Sequence, residues 1–220
     1  MTSSTCGRLE NLLSLNGLYL ILDGAWASQC SLEAVLREAL DAGVRIVQYR
    51  DKTNPMQEAF RRAKVLRAMV PPGKMLFIVN DRCDLALAVE ADGVHLGQDD
   101  LPVPLARQIL GRSVLIGLST HSRAQVLEAI ANKPDYLGFG PIFPTATKVH
   151  HDPAVGVDGL AQIRSLTTLP IFAIGGITPS VIPRLRKVGA DGVAVASGIL
   201  GASNRQEAFR QYMAPFTQAI

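Results

Sequence analysis

The chain has 220 residues, 48% of them hydrophobic and 19% charged, with a formal net charge of +3. That composition supplies a sizeable core and carries no signature of disorder, and the basic residues are scattered, which takes support away from a nucleic-acid-binding role. Cys6, Cys30 and Cys83 are far apart and odd in number, so they suggest neither a zinc site nor a disulfide framework, and a reducing, cytoplasmic setting is expected.

Residues 1–16 form an N-terminal extension. Its stretch "MTSSTCGRLENLLSLNG" has one arginine, one glutamate and a broken apolar run, so no signal peptide is expected, and no later stretch reaches the length of a membrane span. Leu12, Leu13 and Leu15 are expected in a short helix against one end of the fold. From residue 17 to 220 short apolar runs alternate with segments of helical period. "GLYLILD" (17–23) reads as a strand, followed by a helix over 31–43 with Ser31 as N-cap and Gly43 just past its end. The same alternation continues with strands at 45–50, 75–80, 93–96, 114–119, 136–140, 170–176 and 192–197. Helices are expected at 55–69, 84–90, 102–110, 122–132, 157–166, 178–189 and 205–220. Parallel strands joined by crossover helices follow from that order. Eight units without a linker predict a single (β/α)₈ TIM barrel over 17–220. An open doubly wound sheet is the alternative, but it calls for a glycine-rich turn after the first strand, and "ILDGAW" has none.

A barrel puts its working residues at the C-terminal ends of the strands. The polar groups fall there: "QYRDK" (48–52), "NDR" (80–82), "GQDD" (97–100), "STHS" (119–122), "PTATK" (144–148), "GG" (175–176) and "AS" (196–197). The turns at the other end, such as "PPGK" and "ANKPD", read as ordinary turns. Gln48, Arg50 and Lys52 alternate, so all three can point one way, to meet an anion or to form a solvated rim. Asp81 and Asp100 cap adjacent strands, where a divalent cation would relieve their repulsion; capping of the next helices is the plainer role, serious for Asp84 and fair for Asp99. Gly175–Gly176 and Ala196–Ser197 allow either a backbone cradle for a phosphate or tight turns. His95 reads as an interior histidine, His121 as part of a helix start, and His150 and His151 as loop residues. Cys83 and the serines show no activating partner for nucleophilic catalysis.

Together these features suit a heavily phosphorylated substrate and a departing anion. The motifs "QYRDK", "VNDRCDLALAVEADGVHLGQDDLP", "IGLSTHS", "GFGPIFPTATK" and "IFAIGGI", within a stretch from Tyr19 to Ile199, resemble the thiamine-phosphate synthase (thiamine-phosphate pyrophosphorylase) family. The resemblance implies condensation of 4-amino-2-methyl-5-(diphosphooxymethyl)pyrimidine with a thiazole phosphate, in its plain or carboxylated form, to thiamine phosphate and diphosphate. It implies that Gln48, Tyr49, Arg50, Asp51, Lys52 and Asn80 hold the pyrimidine diphosphate, and that Asp81 and Asp100 bind Mg²⁺. Ser119 and Lys148 would contact the diphosphate side, with Lys148, Arg50 and Ser119 as the catalytic set. Thr145, Ala146, Thr147, Gly176, Ala196 and Ser197 would hold the thiazole phosphate, under a lid formed by residues 141–156. Small-molecule partners are implied; a homodimer is left open. A tautomerase-like relative on the same barrel and a non-catalytic phosphate-binding barrel are the other two classes. The set Arg50, Lys52, Asp81, Asp100 and Lys148 favours the synthase.

Overall fold

The computed structural model describes residues 15–144 and 153–217. Strands β1 (Gly17–Asp23), β2 (Ile46–Arg50), β3 (Leu76–Asn80), β4 (Gly93–Leu96), β5 (Leu115–Thr120), β6 (Tyr136–Phe139), β7 (Ile171–Ile174) and β8 (Gly192–Val195) pair in parallel in chain order. β8 returns to β1 in the register Gly17↔Gly192, which closes the barrel. Around it run α1 (Leu32–Asp41), α2 (Met56–Met69), α3 (Cys83–Ala88), α4 (Val103–Leu110), α5 (Arg123–Asn132), α6 (Gly156–Arg164), α7 (Ile182–Lys187), α8 (Ser197–Leu200) and α9 (Arg205–Thr217). The expected (β/α)₈ architecture is therefore the one observed.

The differences lie at the element ends. β7 and β8 stop two residues early: Gly175 and Gly176 have φ of 95° and 63°, outside strand geometry, and Ser197 already opens α8. The helix expected at 178–189 is a 3₁₀ turn, Pro179–Val181, followed by α7. Ser31 caps α1 as expected, accepting from Ala34 N–H at 3.2 Å. The expected N-terminal helix lies outside the described residues except for Leu15, which packs on the interior cluster of the barrel.

The period of two along each strand sorts side chains between two cores. On β1, Leu18, Leu20 and Leu22 face the helices, whereas Tyr19 and Ile21 face the barrel interior with Ile46, Ile78, Leu115, Tyr136 and Phe172. Tyr19, Tyr136 and Phe172 pack edge to face with centroids 5.1–6.0 Å apart. Glycines on neighbouring strands make the space: a Cβ at Gly117 or Gly192 would overlap the ring of Tyr136 or Phe172.

At the N-terminal end of the strands one device recurs. Asp92, Asp135 and Asp191, each just before an even-numbered strand, accept the N–H of Phe77, Ile116 and Ile171 at 2.8 Å from the strand before. An arginine from the helix that precedes the odd-numbered strand pairs with each: Arg67 with Asp92 at 3.7 Å, Arg107 with Asp135 at 2.5 Å, Arg164 with Asp191 at 3.0 Å. "ANKPD" is thus not an ordinary turn, because its Asp135 is a buried acceptor. Among the described residues no helix is long and apolar enough to cross a membrane.

Asp135 is 4% exposed, and its loss removes the carboxylate partner of Arg107, which keeps its bonds to the Gly111 and Val114 carbonyls, and leaves the Ile116 N–H without that acceptor. Asp135→Ala should lower stability by about 3–5 kcal/mol, the usual result of breaking a buried pair. Asp92→Ala should cost less, its arginine being farther away at 3.7 Å. Urea denaturation of the two variants would check this; equal small losses would reject the staple.

Candidate active site

The C-terminal ends of the strands enclose a cavity of about 350 Å³. Its lining includes Tyr19, Asp23, Gln48, Arg50, Asn80, His95, Ser119, His121, Gly176, Ala196 and Ser197. Gln48 and Arg50 are inward residues of β2, two apart, and so share a face. Arg50 is held by Asp23, the last residue of β1, through Nη1–Oδ2 at 2.5 Å, with Asp23 only 4% exposed. The pair fixes a guanidinium at the cavity wall with donors to spare for an anion.

Beyond the ends of β2 and β3, Lys52 Nζ stands 2.9 Å from Asp81 Oδ2. Asp81 has φ of 62°, an unusual value for a non-glycine residue, and its N–H is taken by His95 O at 2.8 Å. Asp100 lies beside Asp81 and accepts from Gly97 N–H at 2.6 Å. Burial first, then the neighbouring Asp81, push the Asp100 carboxyl above its ordinary range. Two carboxylates crowded in this way are an oxygen-only donor set, suited to a hard cation that takes one or two protein carboxylates and fills its shell from substrate phosphates and water. Among the described residues no cluster of three or more His, Cys, Asp or Glu side chains forms. Mg²⁺ would fit these two carboxylates if substrate oxygens and water completed its shell.

The opposite wall is uncharged. Phe143 N–H and Ile142 N–H bond to Gly175 O at 3.0 Å and Ile174 O at 2.8 Å, seating the loop after β6 on the end of β7. The loop's returning leg is tied to its outgoing one, Val155 N–H to Pro141 O at 2.9 Å and Gly156 N–H to Ile142 O at 3.1 Å. A Cβ on Gly176 would lie 2.7 Å from Phe143 Cβ and Pro144 O, so the turn reading of that glycine has a geometric cause. Gly175 and Gly176 also line the cavity, alongside Ala196, Ser197 and Gly198 at the start of α8.

The structure thus gathers Gln48, Arg50, Asn80, Ser119, Gly176, Ala196 and Ser197 around one cavity, while Lys52, Asp81 and Asp100 meet one another in the loops that follow β2, β3 and β4 and are not among its lining residues. It does not bring Tyr49 and Asp51 there. Tyr49 is an outward β2 residue, 1% exposed among core side chains, and donates to Asp51 Oδ2 at 2.8 Å. Asp51 also accepts from Thr53 N–H at 3.1 Å and Asn54 N–H at 3.0 Å. Burial works to raise its pKa, yet these donors together hold it below the usual carboxylate range. The two residues therefore shape the turn after β2, and Gly24 lacks a Cβ because one would sit 2.7 Å from Asp51 Cγ. Thr145, Ala146, Thr147 and Lys148 lie outside the described residues. Asp84 pairs with Arg82 at 2.6 Å rather than joining the site.

Sequence reasoning passed over Asp23, although it ends a strand just as the other polar groups do. It also gave the serines no partner, whereas Ser119 Oγ lies 2.9 Å from His95 Nε2. Tyr19 and Tyr136 sit in apolar runs and carry no signal that separates a cavity floor from ordinary core.

Residues 18–199 match the model of the family described as thiamine monophosphate synthase. The chain belongs to that family. It is 42% identical over 197 residues to the thiamine-phosphate synthase of Chloroflexus aurantiacus, covering 90% of this chain and 91% of the relative. It is 41% identical to the synthase of Methanospirillum hungatei, covering 89% and 95%. The solved structure of thiamine phosphate pyrophosphorylase from Pyrococcus furiosus superposes with a TM-score of 0.81 at 34% identity, covering 95% of this chain and 98% of that one. Family membership makes the chain an enzyme of thiamine biosynthesis.

Asp23→Ala should leave Arg50 half-buried without its partner and lower stability by about 1–3 kcal/mol, less than a fully buried pair because solvent reaches the guanidinium. Urea denaturation would measure it; an unchanged midpoint would show that Asp23 does not hold Arg50.

Proposed function

We propose that the chain joins 4-amino-2-methyl-5-(diphosphooxymethyl)pyrimidine to a thiazole phosphate, releasing thiamine phosphate and diphosphate. The observation that carries it is the polarity of the cavity end of the barrel: Arg50 on Asp23 in the cavity wall with Lys52 on Asp81 in the loops that follow β2 and β3, and glycine and small residues elsewhere in the lining. A diphosphate matches the charged side. A monophosphate matches the backbone N–H groups of the small-residue side. Gln48 and Asn80, which line the same cavity, are assigned to the pyrimidine ring.

The carbon–oxygen bond to diphosphate breaks first, and its electron pair leaves on the diphosphate oxygen. The electron-rich aminopyrimidine stabilises the methylene cation left behind, and the thiazole nitrogen lone pair forms the new carbon–nitrogen bond. That nitrogen carries no proton, so no general base is required. Arg50 and Lys52 then have two tasks, to position the diphosphate and to neutralise charge as it develops. Asp81 and Asp100 would hold Mg²⁺, which supplies further neutralisation of the diphosphate oxygens when bound. Lys148, outside the described residues, is assigned to the same leaving group on the resemblance alone. Free thiols at Cys30 and Cys83 suit a reducing cytoplasm.

The deciding experiment mixes the purified protein with both substrates and Mg²⁺ and follows diphosphate release; no release would reject the function. Asp81→Asn and Asp100→Asn should each lower turnover by on the order of 10²–10³, the scale for losing one stabiliser of developing charge. Full activity of the wild type in excess chelator would reject the metal assignment. The pyrimidine monophosphate should be nearly inert, since it is a poorer leaving group and gives a metal less to chelate. Comparable rates for mono- and diphosphate in steady-state assays would show that the site is not built around diphosphate.

A further inference from the structure

Five polar side chains cross the barrel in one line beneath the cavity. Gln48 Nε2 donates to Tyr19 Oη at 2.8 Å, Tyr19 Oη lies 2.9 Å from Tyr136 Oη, Tyr136 Oη lies 3.2 Å from His95 Nδ1, and His95 Nε2 lies 2.9 Å from Ser119 Oγ. The line begins and ends on Gln48 and Ser119, which line the cavity assigned above to the substrates; its three middle members are not needed by the mechanism above. It is also built for. A Cβ at Gly117 would come within 2.5 Å of His95 Nδ1 and overlap the Tyr136 ring, and one at Gly138 would lie 3.1 Å from His95 Cε1. β5 and β6 thus give up side chains where the histidine and tyrosine must sit.

With Gln48 donating to Tyr19, the protons in this line follow one from the next. Both tyrosines are at most 1% exposed, and burial pushes both phenols well up, so each keeps its proton. Tyr19 Oη receives the Gln48 proton, and its other partner among the described residues is Tyr136 Oη, so it donates there. Tyr136 must then donate to His95 Nδ1, which makes Nδ1 the acceptor and places the ring proton on Nε2. Nε2–H donates to Ser119 Oγ, and the serine proton turns to the cavity. A proton on Nδ1 would reverse the line and, with the Gln48 amide as it stands, leave the buried Tyr19 hydroxyl proton unpaired, which carries the full desolvation penalty of that group. The 2.9 Å Ser119–His95 contact is accordingly not a nucleophile with its base, because the imidazole gives a proton there and does not take one.

At the other end, one amide proton of Gln48 is donated to Tyr19, so the amide orientation and the His95 tautomer are set together. The oxygen Oε1 is left as acceptor for the ring that binds above it. We propose that Tyr19, Tyr136 and His95 are positioning residues whose one-way hydrogen-bond line fixes Gln48 as an acceptor and Ser119 as a donor, and so makes the site select an amino- over an oxo-pyrimidine. An exocyclic amine donates to Gln48; an exocyclic oxygen in its place would face another oxygen. A site built to satisfy a particular donor rejects the analogue lacking it far more strongly than a merely apolar pocket does.

This specificity rests on the pyrimidine diphosphate function, whereas the tautomer does not, so two measurements keep the failures apart. Nitrogen-15 NMR of the histidine-labelled protein, without substrate, should show His95 as the Nε2–H tautomer, with Tyr136→Phe changing that signature while the other histidines stay put. Finding the Nδ1–H form in the wild type overturns the line whatever the enzyme turns over. In kinetics, Tyr19→Phe keeps the ring and its edge-to-face packing but frees the Gln48 amide. The ratio of kcat/KM for the amino-pyrimidine diphosphate to that for its 4-oxo analogue should fall by about tenfold, with KM for the thiazole phosphate unchanged. A fall smaller than about threefold, relative to the discrimination such sites achieve, overturns the proposal. So does equal loss on both substrates, which would mark Tyr19 as structural only. If the wild type turns over neither substrate, the function fails and the tautomer alone decides the line.

Discussion

The interior of a closed eight-stranded barrel is just wide enough to be filled by side chains, and every feature of the site depends on how that volume is shared. Here three large rings, Tyr19, Tyr136 and Phe172, occupy the middle, and they fit only because Gly117 and Gly192 present nothing opposite them. The rings form the floor of the cavity, and the apolar residues Ile46, Ile78, Leu115 and Leu15 fill the barrel around and beneath them. Because two rings carry hydroxyls, the floor is polar along one line and apolar elsewhere. A core of the same volume built from leucine would hold the fold, but it would give Gln48 and Ser119 nothing to lean on.

The two ends of the barrel use the same chemistry for opposite purposes. At the N-terminal end Arg107 meets Asp135, with side chains 20% and 4% exposed, and the carboxylate also closes a strand N–H. Such pairs are satisfied internally and have nothing left over, so they serve stability. At the C-terminal end Lys52 meets Asp81, but the lysine side chain is 54% exposed. An exposed pair of this kind contributes little, about 0–1 kcal/mol, and is easily exchanged for a better partner. Asp100, held above its usual pKa by burial and by Asp81, marks a place where negative charge is already crowded. A cation or a diphosphate–cation pair entering there relieves a strain that the bottom of the barrel does not have. Arg50 is the intermediate case: Asp23 holds it firmly from one side and leaves its remaining donors to the cavity.

The alternation of apolar runs and helical periods, the capping serine at Ser31 and the polar groups at strand ends determined the barrel, its order and most of the cavity lining. These are local signals, written in the period of two or 3.6 that each segment imposes on itself. Strand alternation alone already implied that Gln48 and Arg50 share a face, and it equally implied that Tyr49 and Asp51 do not. The resemblance grouped all four, and the geometry separated them. Distance and direction across the barrel were decided only by the tertiary structure. That Asp23 anchors Arg50, that Asp135 is an acceptor and not a turn residue, and that Tyr19, Tyr136, His95 and Ser119 stand in one line depend on contacts between residues 19 to 117 positions apart. No periodicity records such pairs, because a tyrosine in an apolar run looks the same whether its hydroxyl meets water, a backbone carbonyl or another tyrosine. Only closure of the barrel, which brings distant strands across a shared interior, determines which it is.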